Sequence, residues 1–163
     1  MQDMGVRLST PKQALDAFFE KANKILFDAI YNCLAKLGEE CVAKIRDRSA
    51  EEAWIDHTGN LRSSVGYAVY DDGRKLIESA FKVVRDGNEG SSEGKKYIDS
   101  LAQEYSDTFA LVVVAAMNYA EYVEAKDNKD VLASTKLWAM AEIEKRMKTA
   151  LSYAEDKINK IVL

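Results

Sequence analysis

Asp56-His57 is the place where this chain sets a carboxylate beside an imidazole, and His57 is its single histidine. Such a pair can do general acid–base work when a nucleophile or a substrate oxygen lies within reach and a second group orients the ring. Ser63 and Ser64 follow closely, but on a stretch expected to be extended rather than on a strained elbow. A solvated loop histidine is the reading this spacing favours. A small hydrolase built on Asp56 and His57 is the weaker alternative for function. A zinc site would have to join His57 to Cys33 and Cys41, which have no ligand spacing of the usual kind.

The run GSSEGKK, from Gly90 to Lys96, resembles a phosphate loop at first sight. That motif needs four residues between its glycines and then Lys followed by Ser or Thr. Here three residues separate Gly90 from Gly94, and Lys96 stands where the magnesium-holding hydroxyl is required. The paired carboxylates Glu39–Glu40, Glu51–Glu52 and Asp71–Asp72 fall on expected helix surfaces, helix starts or a turn, where adjacent side chains do not face one another. Cys33 and Cys41 on one helix would stand ~12 Å apart along its axis, too far for a disulfide, so both are read as reduced core residues. No cofactor, metal or nucleotide is expected, and no enzyme activity.

The elements that would carry these residues follow from length and pattern. The chain has 163 residues, of which 47% are apolar and 31% charged, with net charge −4. That is enough for one domain with a core. Interspersed charge without a basic stripe argues against a sequence-specific nucleic-acid surface. The longest apolar run, Phe109 to Met117, is about half the ~18 residues that cross a membrane, and the N-terminus lacks the apolar region of a signal peptide.

Apolar positions recur at helical spacing from Leu15 to Ile45, predicting a helix over 11–48 with Ser9 or Thr10 as cap and a bend at Gly38. Ser49 and Glu52 form a possible capping box for one further turn. Leu61, Val65, Tyr67 and Val69 share one face of a strand, and Asp71-Asp72-Gly73 supplies hairpin turn chemistry, predicting a hairpin over 61–84. The glycine- and serine-rich stretch 86–96 reads as a mobile loop open to early proteolysis. Tyr97, Ile98, Leu101 and Tyr105 suggest a short helix. Residues 109–117 read as a central strand covered on both faces. A final helix over 135–161, capped by Ser134 or Thr135, completes an α+β fold: long terminal helices on a small, mainly antiparallel sheet.

Two motifs then stand out. TGNLRSSVGYAVY, from Thr58 to Tyr70, and YAEYVE, from Tyr119 to Glu124, resemble a family of tail components of long-tailed bacteriophages, the tail-completion or neck proteins that join a filled head to a tail. Thr58, Gly59, Leu61, Arg62 and Ser64 match the first family motif. Tyr119, Ala120, Tyr122, Val123 and Glu124 match the second. The order of elements matches over roughly residues 20–160. The segment Ala125–Ala133 departs from the family, whose members often continue with Gly-Thr.

The resemblance implies a non-enzymatic virion assembly protein of a phage or prophage. It implies a ring of copies of this chain, with head-connector or tail proteins as further partners and neither membrane nor specific nucleic acid. Its places would be the host bacterial cytoplasm during assembly and the virion neck or tail afterwards. The residues themselves leave a second possibility open, a helical interaction module or adaptor of a bacterial cytoplasm using the long N-terminal helix. The motif residues act either by fixing the start of the hairpin or, for Arg62, by direct contact with a partner.

Overall fold

The computed structural model describes residues 4–7, 9–49, 55–125 and 130–161. Helix α1 spans Lys12–Arg46, a short turn α2 Asn60–Ser63, and strands β1 and β2 Val65–Asp71 and Arg74–Glu78. Helix α3 spans Asn88–Ser100 and runs into a 3-10 turn, Ala102–Tyr105. Strand β3 (Phe109–Ala115), the short helix α4 (Ala120–Ala125) and the long helix α5 (Ala133–Ile158) complete the order. The fold is α+β, as the patterning predicts.

The three strands form one antiparallel sheet in the order β2-β1-β3. Asp72 and Gly73 close the hairpin with positive φ at both positions (52° and 72°), the geometry that matches strand twist. β1 is the central strand, and six of its seven residues are buried. Val65, Tyr67 and Val69 join Leu34, Val42 and Ile45 of α1 in the main core. Ala68 and Tyr70 turn the other way and join Phe81, Ile98 and Leu101 under α3. This corrects the expected strand order: Phe109–Ala115 lies at the sheet edge. Small residues at Gly66 and Ala68 let β1 accept Phe81 and α3 on the face opposite α1. An apolar run like β3 looks the same at an edge as at a centre.

α1 and α5 run antiparallel along one another. Arg146 of α5 forms a two-bond fork to Glu40 of α1 at 2.9 and 2.8 Å and also holds Glu142 at 3.1 Å. The Arg146 bond holds the Glu40 carboxyl below the usual glutamate range. Lys44 sits 4.5 Å over the Trp138 ring. α1 is unbroken across Gly38, where the helix comes so close to β1 that a Cβ would run into the Tyr67 ring. All six of its buried residues lie between Leu34 and Ile45. At 1.5 Å per residue α1 is ~52 Å long, and its first half extends past the sheet. There Phe27 keeps one edge contact, to Phe109 at 5.5 Å, while Phe19 is 58% exposed.

The stretch 86–96, expected as a mobile loop, is mostly helix. Gly90, Gly94 and Ile98 are the buried face of α3. A Cβ at Gly90 would strike the Asn60 backbone, and one at Gly94 the Phe81 ring, so the glycines permit close packing rather than looseness. Boundaries also shift: β1 begins only at Val65, β2 ends at Glu78, and Phe81 turns into the core at φ 44° instead of continuing a strand. Neither Ser9 nor Thr10 caps α1, whose N-cap is Pro11 without a side-chain bond. The Ser49–Glu52 box, the Glu51–Glu52 pair and residues 126–129 of the divergent loop fall outside the described residues. Among the described residues, no helix is long and apolar enough to cross a membrane.

Candidate functional site

Asp56 organises the first motif. Its two carboxylate oxygens accept the Gly59 and Arg62 N–H groups at 3.0 and 2.8 Å, and the Thr58 hydroxyl accepts Asn60 N–H at 3.2 Å. The chain turns sharply at Gly59, φ 83°, and passes so close to Val84 that a Cβ would meet its carbonyl oxygen. Leu61 is buried in the main core. The Ser63 hydroxyl accepts Val84 N–H at 2.8 Å, and the Ser64 hydroxyl donates to the Leu61 carbonyl at 2.8 Å. Asp56 is thus engaged with backbone, and His57 is exposed, its carbonyl accepting a bond from Arg85. The structure does not gather Asp56, His57 and a serine into a catalytic set.

The polar motif residues serve helix ends. The Arg62 guanidinium donates to the carbonyls of Arg46 and, at 2.8 Å, Arg48, where α1 runs out of its own donors. Asn60 accepts Gly90 N–H at 3.2 Å and donates to Glu89 at 3.1 Å, capping the first turn of α3 from another element.

The second motif meets the first. The Tyr119 hydroxyl lies beside the Thr58 side chain. Burial raises the Tyr119 hydroxyl above its ordinary value, and the charges of Asp56 and Glu89 raise it further, while Thr58 lowers it. Ala120 is buried in the main core with Val123 against it. Tyr122 faces outward at 63% exposure.

Glu124 turns back on the chain. One of its oxygens accepts the N–H groups of Val131, Leu132 and Ala133 at 3.3, 2.9 and 2.8 Å. Asp130 accepts Ser134 N–H at 3.1 Å. Burial pushes the Asp130 carboxyl upward, but its bonds to Ser134 and Arg48 outweigh this and leave it below the ordinary range. Two carboxylates thus stand at the positive end of α5. This corrects the expected capping by Ser134 or Thr135, whose hydroxyls accept instead from Arg48. Arg48 also binds the Asp130 and Val131 carbonyls at 3.0 and 3.3 Å and the Asp130 carboxylate at 2.8 Å. Sequence reasoning missed Arg48 and Asn60, because their partners lie far along the chain.

Replacing Glu124 with Ala is expected to cost about 1–2 kcal/mol, as lost caps do, and Glu124→Gln less, since the amide oxygen still accepts. Urea unfolding of the three proteins checks this. Equal stability would mean that water serves those N–H groups as well.

Among the described residues no group of three or more His, Cys, Asp or Glu side chains could hold a metal ion. Cys33 and Cys41 are unbridged, and burial raises both thiols. Comparison with known proteins brings no match: none among family models, curated proteins or solved structures.

Proposed function

We propose that this chain is a non-enzymatic assembly protein of a phage or prophage virion, a ring-forming tail-completion component at the head–tail junction. The two motifs that resemble that family support the reading, as does their shared role in fixing helix ends. The observation that carries it is the presence of two unlike surfaces at separate places. One is the first half of α1, which extends past the sheet with Phe19 bare. The other is the outer edge of β3. A closed ring needs such a pair, because each subunit meets its neighbours through two different patches.

In this reading the subunit is monomeric or weakly associated when isolated, and its ring forms on the head connector. It is made in the host cytoplasm and ends in the virion neck or tail. Deleting the gene from its phage should leave filled heads and separate tails in electron micrographs. Normal joined particles after deletion would end the proposal. The exposed apolar face of α1 equally suits a helical adaptor, for which the deletion would leave virions intact.

A further inference from the structure

Residues 4–7 precede α1 without regular structure, and their apolar side chains are bare, Met4 and Val6 each 93% exposed. In sequence Met4, Val6 and Leu8 alternate with Gly5, Arg7 and Ser9. That is the period of a strand with one apolar face. Nothing else among the described residues pairs with this segment.

The sheet has a place for such a strand. Tyr67 of β1 bonds through both its N–H and its C=O to Ser79, on the β2 side. Peptide groups alternate along a strand, so Gly66, Ala68 and Tyr70 turn theirs to β3, where they face Val114, Val112 and Ala110. The peptide groups of Phe109, Leu111, Val113 and Ala115 then point away from the sheet, along an edge with no further strand among the described residues. Beside that edge, between β3 and α5, lies an apolar cleft of about 500 Å³ lined by Leu37, Ile45, Leu111, Val113, Met140 and Ile143, among others. An added strand would place alternate side chains in it.

The segment cannot reach the cleft of its own subunit. The near end of the β3 edge, Phe109, lies beside Phe27, and from Lys12 to Phe27 the helix advances ~22 Å. The five residues from Arg7 to Lys12 span at most ~18 Å when fully extended, so residues 4–7 cannot lie along that edge. The straight helix carries the segment outward, so the cleft within reach belongs to another copy.

We propose that residues 4–7 of one copy add as a strand to the β3 edge of the next, with Met4 and Val6 seated in the cleft beside α5. Donor segment and acceptor edge are different patches, so the contact is heterologous and propagates from copy to copy until it closes. It deepens the ring reading by naming its contact, and rests on that reading only for where the ring is built.

Sedimentation of the full chain tests it. The wild type should gain mass steadily as its concentration rises to about 1 mM, the range of a weak contact. Val6→Asp spoils the donor and Met140→Asp the acceptor, and each should hold the protein monomeric. Both residues are more than 60% exposed (Met140 at 62%), so far-ultraviolet circular dichroism and melting should be unchanged. Mixed together, the two variants should form a dimer and stop there, because one intact cleft meets one intact segment. Three results would each overturn the proposal: wild type that stays monomeric throughout, a variant that associates like wild type, or a mixture with no dimer. None of them touches the head–tail reading, which the gene deletion decides separately.

Discussion

Gly59→Ala is expected to lower stability by about 3 kcal/mol. A non-glycine residue in the left-handed region costs about 1–2 kcal/mol. The Val84 carbonyl oxygen, in the path of the new methyl group, adds about 1–3 kcal/mol of displacement. For a chain of this size that sum should lower the melting temperature by about 10 °C. Gly73→Ala is the matched control. Its φ is also positive, at 72°, but the nearest atom to its Cβ is the Ala102 carbonyl oxygen at 3.2 Å. It should cost about 1–2 kcal/mol, mostly backbone strain. Calorimetry of both variants separates the two effects. Equal losses would mean that the Val84 segment yields freely and that Gly59 serves only as a turn.

Phe81→Ala should cost about 3–5 kcal/mol, the range for removing a buried aromatic ring. Phe81 is 1% exposed and lies where Gly66 and Gly94 make room for its ring, joining the central strand to α3. Its backbone is left-handed, φ 44°, and alanine inherits that geometry without relief. The loss should be uneven. α3 rests on Phe81, Ile98 and Leu101, a core smaller than the one shared by α1, α5 and the sheet. Hydrogen exchange should therefore accelerate across 88–100 well before it does in α1 near Leu37. Uniform loss of protection would show that α3 and the main core open together.

The long helices and the hairpin were legible because their signals are local: apolar spacing over many turns, and Asp-Asp-Gly between alternating runs. α3 was not, since three glycines and two serines between Gly87 and Gly94 also spell a loop. The one available signal was Gly90, Gly94 and Ile98 at four-residue spacing, and it acquires meaning only with Asn60 and Phe81 set opposite. The motif residues could be picked out, but not what they do. Arg62, Asn60 and Glu124 act on helix ends that belong to other elements, so no rule about neighbouring residues finds them. Asp56 and His57 are kept apart in role for a local reason, because the Asp56 carboxylate accepts from the turn that Gly59 begins.

These distant caps bear on how the chain acquires its structure. α1 is made before the other described elements, yet its last carbonyls wait for Arg62. α3 waits for Asn60 to be placed, and α5 for Glu124. The sheet adds to this, since β1 finds its second partner only after α3 has been made. Contacts of such separation are reached late and reward the chain only when most of it is assembled. The N-terminal part alone, amphipathic and without the sheet, would expose the Leu34–Ile45 face to any apolar surface nearby. Completion of folding is then close to a single event that waits for α5, with a nascent chain that chaperones would shield until that helix arrives.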